Sequence, residues 1–208
     1  MSRKWGAIWF GLVSLLFAVA IIATRTTSVP KEFQSARERG ALIASFINGF
    51  SEESFASLKK IREMDEKGRY HEALNLVDSE LEKLKSVREK SLELLVELQQ
   101  MALKIDEVGS YEAQKLGVQA VSANIAMVGR LIAYNDHLND LLLTLRLKYI
   151  SVNPAVYNQN TAAAVEKVNG DVLAINELSR RYQSIMKEFD ERTTGKWNAT
   201  GFVSKIIK

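Results

Sequence analysis

The residues of this chain best suited to chemistry fall in one heptapeptide, Tyr134-Asn135-Asp136-His137-Leu138-Asn139-Asp140. At helical spacing Asp136 and Asp140 lie one turn apart on one face, with His137 between them and beside Leu138. Two carboxylates and an imidazole are the donor set of a divalent-metal or proton-transfer site. The competing reading, and the commoner fate of such a run, is a solvated mid-helix face with a satisfied histidine.

The remaining inventory lends that cluster no support. The di-iron pattern of helical bundles needs Glu-x-x-His on two helices. Here the residues three before His71 and His137 are Gly68 and Tyr134. No glycine-rich phosphate loop and no Gly-x-Ser-x-Gly elbow occurs. The chain has no cysteine, which excludes disulfides, thiolate metal sites, cysteine nucleophiles and lipoprotein attachment. The expectation is a protein that is not an enzyme, with no cofactor and no small-molecule substrate evident.

Charge narrows the partners. The chain carries 28 basic and 25 acidic residues, a net of +3. Residues 1–29 contribute Arg3, Lys4 and Arg25 and no acid, so residues 30–208 balance to zero. That leaves no surplus for the basic face of a nucleic-acid binder.

The elements that must hold these residues read as helices. Pro30 and Pro154 stand where helices would begin, and Asn153 and Ser110 are candidate N-caps. With breaks at Lys67-Gly68-Arg69 and Val108-Gly109-Ser110, residues 31–193 divide into four segments of roughly 40 residues each. The first carries an apolar stripe at Phe33, Ala36, Gly40, Ile43, Ile47 and Phe50, resuming at Phe55, Leu58 and Ile61. Gly49 and Ser51-Glu52-Glu53 predict a kink or break between the two halves. The second runs from Leu74 through Leu84 and Leu98 to Ile105 and Val108, the third from Leu116 through Tyr134 to Leu145, the fourth from Val168 to Phe189. Such stripes are the buried faces of antiparallel helices. The fold class expected is all-α, an up-down-up-down bundle of three to four long helices. The charged run of Glu80, Glu82, Lys83, Lys85, Arg88, Glu89 and Lys90 reads as solvated surface with helix-spaced ion pairs.

Lys67-Gly68-Arg69-Tyr70-His71-Glu72-Ala73-Leu74 resembles the turn of a tetratricopeptide repeat, where Gly and Tyr shape the turn and Ala-Leu packs the second helix. It does not recur at a period of about 34 residues. It is read as a local helix–turn–helix solution, without family membership.

The ends of the chain carry the other signals. Arg3 and Lys4, in a short basic tail over residues 1–4, precede an uncharged stretch from Trp5 to Ala23 that is closed by Thr24 and Arg25. As a helix it spans about 28 Å, against a hydrocarbon core of about 30 Å. Trp5 and Trp9 lie one turn apart at its edge, as interfacial aromatics do. A transmembrane anchor over residues 5–24 and a linker over 25–30 are therefore expected. The rival is a cleavable signal peptide with Ala18-Val19-Ala20 as its site, which would leave Ile21 and Ile22 exposed on the mature chain. Within the anchor, Ala7, Gly11, Ser14 and Ala18 form a small-residue stripe where a second membrane helix could approach, giving a homo-oligomer. The dense charge of Arg3 and Lys4 favours a cytoplasmic N-terminus and an extracytoplasmic bundle. Arg25, Lys31, Arg37 and Arg39 argue the reverse.

Four passes bring the chain back to the bilayer. The segment over residues 194–208 holds Lys196, Lys205 and Lys208 with Trp197, Phe202, Val203, Ile206 and Ile207, and no acid. It suits either an interfacial segment on anionic lipid or a tail packed on the bundle. The function expected is a membrane-anchored, non-enzymatic bundle that serves a protein partner in the cell envelope as scaffold, tether or accessory subunit. The alternative is an extracytoplasmic ligand-sensing bundle acting through a separate transducer, with Ala162, Ala163 and Ala164 thinning the packing around a pocket.

Overall fold

A computed structural model describes residues 29–194. Four long helices carry the fold: α1 Lys31–Glu66, α2 Tyr70–Ala102, α3 Tyr111–Ile150 and α4 Asn158–Thr194. Short 3-10 turns at Ile105–Glu107 and Pro154–Tyr157 interrupt the last two connections, and no strand occurs among the described residues.

Local chemistry sets the helix ends. Gly68 takes φ +68°, while Arg69 N–H donates to the Met64 carbonyl at 2.8 Å and Gly68 N–H to that of Asp65 at 3.1 Å. This is a Schellman closure, which only glycine enters without a Cβ penalty. Ser110 caps α3 by accepting from Ala113 N–H at 3.2 Å. Gln114 reaches back to the carbonyls of Asp106 and Val108 at 2.9 and 2.8 Å, so the turn between α2 and α3 leaves those acceptors satisfied.

Three expectations are corrected. The break expected at Gly49 does not occur: helix α1 is continuous there, and Ser51 folds its hydroxyl onto the Ile47 carbonyl at 3.0 Å instead of capping a new helix. Helix α2 stops at Ala102, and Ile105 and Val108 plug the core from the turn beyond it. Asn153 makes no side-chain cap; Pro154 opens a 3-10 turn, and α4 starts at Asn158.

Consecutive helices pack along their lengths, α1 on α2, α2 on α3 and α3 on α4. Helix α3 is the centre, with Leu116, Met127, Leu131, Leu138 and Leu145 among its buried residues. Helices α1 and α4 meet where the described chain begins and ends. Phe33 stacks on Phe189 with ring centroids 5.6 Å apart, and Arg37 donates to both Asp190 oxygens at 2.8 and 2.9 Å. The fourth pass thus returns the chain to the end from which the first departed.

Candidate functional site

The bundle carries polar side chains at three levels between otherwise apolar faces. At the end where the chain enters and leaves, the Arg37–Asp190 pair bridges α1 and α4. Burial alone would lower the Arg37 guanidinium; its hydrogen bonds to Asp190 more than reverse this and hold it above its ordinary range. At the far end Lys148 of α3 donates to Asp65 of α1 at 2.7 Å, and Tyr70 stacks on Tyr149 with centroids 5.5 Å apart.

The middle level contains the sequence-singled cluster. His137 Nδ1 donates to Asp171 of α4 at 2.6 Å, and Arg130 approaches the other Asp171 oxygen at 3.7 Å. Asp136 turns the other way, to Arg88 of α2, and Asp140 is exposed. Asp136, His137 and Asp140 therefore do not converge on one site. His137 and Asp171 clamp two helices, and among the described residues no hydroxyl partners the imidazole as a nucleophile would. Among the described residues no group of three or more His, Asp and Glu could hold a metal ion.

Besides Asp190, two buried carboxylates escaped the sequence reading. Glu80, assigned above to a solvated face, is buried and accepts from Ser54 at 2.7 Å and from Lys83 at 3.1 Å. Its position was the signal, since Val77, Glu80 and Leu84 follow the same three-four stripe. Asp171 likewise falls on the stripe of Val168, Val172 and Ile175. Tyr134 lies buried at this level, its hydroxyl without a hydrogen-bond partner. Burial first, then the charges of Glu80 and Asp171, push its phenol well above the ordinary tyrosine range.

The other candidate is a surface. At the far end an open groove of about 420 Å³ runs between α2 and α3 over Leu74, Leu143, Leu147 and Ile150. Leu143, Leu147 and Ile150 are exposed, and the Asp78–Arg146 ion pair, 3.0 Å long, flanks them. Sequence reasoning followed the buried stripe of Leu141 and Leu145 and missed this second one. Its signal was the recurrence of Leu143, Leu147 and Ile150 at three-four spacing beside the buried stripe, which makes the apolar face wider than one buried face needs. The Ala162-Ala163-Ala164 stretch lines neither this groove nor the cleft at the opposite end.

One described helix, α3, is long and apolar enough to cross a membrane, but half of its most apolar stretch is buried inside the bundle. Its side chains, with buried Asn124, Asn135 and Lys148 among them, are engaged by neighbouring helices as those of a core helix are. The anchor residues Trp5, Trp9, Gly11, Ser14 and Ala18 lie outside the described residues, as do Lys196, Trp197, Phe202, Lys205 and Lys208. Compared with models of known protein families, with curated proteins and with solved structures, the chain matches none.

Proposed function

We propose that this protein is a membrane-anchored, non-enzymatic bundle that presents the α2–α3 groove to a protein partner in the cell envelope. The single observation that carries this reading is the stripe of Leu143, Leu147 and Ile150, left exposed beside Leu74 along one groove. Apolar side chains at positions i, i+4 and i+7 along a groove are the signature of a surface that receives an amphipathic helix. Polar flanks from Asp78 and Arg146 would fix its register.

Position supports the same reading. The groove lies at the end opposite the one where the described chain begins and ends, and α3 spans 40 residues. At helical rise that places the groove about 50 Å from the end to which the anchor over residues 5–24 connects. A rod with an anchor at one end and a docking groove at the other acts as a tether or accessory subunit. The extracytoplasmic orientation belongs to the same proposal and rests on Arg3 and Lys4 beside the apolar stretch.

The test is cross-linking of the full chain in its native membranes, with cross-links mapped by mass spectrometry and compared with a Leu143→Glu/Leu147→Glu variant. Both side chains are exposed, so stability should change by no more than about 0.5 kcal/mol. A partner cross-linked beside α3 in the parent and lost in the variant is the expected result. Cross-links that survive both substitutions, or that never map to this face, would remove the groove from the function.

A further inference from the structure

A second apolar surface lies at the opposite end of the bundle, and it differs from the groove in having an identifiable occupant. It is a shallow cleft of about 690 Å³ formed where α2 ends and α3 begins, floored by Ile105 and walled by Leu103, Tyr111 and Val118. Leu103, Tyr111 and Val118 are all exposed. We infer that residues 195–208 of this same chain dock into the cleft.

Three observations converge on that occupant. The first is proximity. A side chain added at Gly117 would touch Phe189 of α4 at 3.4 Å and Ile105 at 3.6 Å, so the last turns of α4 lie one side chain from the cleft floor. The second is reach. Beyond Thr194 the chain continues to Lys208, and fourteen extended residues cover about 46 Å, ample to cross the end of a helical bundle. The third is chemistry. The segment brings Trp197, Phe202, Val203, Ile206 and Ile207 with three lysines and no acidic side chain. Asp106 and Lys115 line the cleft, Glu107 beside it is paired to Lys104 at 2.6 Å, and Glu112 is exposed in the first turn of α3, so the surroundings carry one net negative charge. That charge favours a lysine-bearing peptide over an anionic bilayer as the covering.

The absence of cysteine makes the test direct. In the full chain in detergent, Val118→Cys supplies a single thiol whose maleimide labelling rate reports its cover. Docking predicts labelling several-fold slower than in the same variant ending at Thr194. It also predicts recovery of the faster rate in a full-length chain carrying Phe202→Asp and Ile206→Asp, which keeps the test sound should truncation disturb the fold. Leu92→Cys is the control, since Leu92 is 50% exposed against 52% for Val118 and borders neither cleft. Its rate should not depend on the tail. Equal rates for Val118→Cys with and without residues 195–208 would overturn the inference. Protection appearing only in vesicles of anionic lipid, and not in detergent, would equally overturn it and assign the cleft to the membrane.

Discussion

The two ends of the bundle solve the same problem with different chemistry. Each must join α1 to a helix that is not its neighbour in sequence. At the terminal end α1 meets α4 through the Phe33–Phe189 stack and a two-pronged Arg37–Asp190 pair. At the far end α1 meets α3 through one ammonium contact, Lys148 to Asp65, beside a tyrosine stack. A guanidinium matches a carboxylate with two parallel hydrogen bonds and fixes orientation, whereas an ammonium acts as a point charge and tolerates rotation. The terminal end is therefore the fixed joint. The far end, with its open groove, is the one left free to meet something else.

The largest expected effect follows from that asymmetry. Arg37→Ala removes both hydrogen bonds that Arg37 gives the Asp190 carboxylate, in a pair whose side-chain exposures are 12% and 8%. Removing one partner of such a pair costs about 3–5 kcal/mol. Urea unfolding of the full chain in detergent should register the loss. A change under about 1 kcal/mol would mean that this joint is not the fixed one.

Lys148→Ala tests the other joint and should cost less, about 1–3 kcal/mol. Asp65, in the last turn of α1 beside the Gly68 closure, has a side-chain exposure of 12%, close to the 8% of Asp190. The smaller cost therefore rests on losing one hydrogen bond where Arg37→Ala loses two. The other Asp65 oxygen already lacks a hydrogen-bond partner. If Lys148→Ala proves as costly as Arg37→Ala, the contrast between the ends fails and the far end is equally locked.

Much of this architecture was legible in the sequence because helix periodicity and glycine chemistry are local. The four stripes, the Gly68 turn and the Ser110 cap each depend on residues within a few positions of one another. What escaped depends on partners distant in sequence. Glu80 read as surface because its charge outweighed its place on the Val77–Leu84 stripe, and nothing local announces that Ser54 would arrive from α1 to hydrogen-bond it. Ser51 offered a helix-start signal, but its buried hydroxyl makes an intrahelical bond instead. His137 was singled out, but the group that defines its role, Asp171, is 34 residues away on the next helix. The groove was hidden differently, since an apolar run cannot reveal which of its residues a neighbour will leave uncovered.

The smallest effect separates the ends at a single hydroxyl. Tyr182 at the terminal end and Tyr149 at the far end are both held above the ordinary tyrosine range, in each case mainly by burial. Arg37 and a hydrogen bond to Asn124 pull Tyr182 partly back, while Asp65 and Tyr70 push Tyr149 further up. The Tyr149 hydroxyl has no hydrogen-bond partner. Tyr149→Phe should therefore be neutral or stabilising by up to about 1 kcal/mol, whereas Tyr182→Phe should cost about 0.5–1.5 kcal/mol for its lost hydrogen bond. The pH dependence carries the same sign at both sites. A phenol whose folded pKa is raised stays protonated after the unfolded chain has begun to ionise near pH 10, so its contribution is complete below that pH and falls as pH rises through the folded value. Unfolding followed from about pH 8 to 11 should show stability flat at first and then declining in the parent. The decline should be shallower in Tyr149→Phe, because that site no longer binds a proton differently in the two states. An unchanged alkaline slope would mean that the Tyr149 hydroxyl reaches water in the folded protein, and with it would go the claim that the far end buries a polar group without a partner.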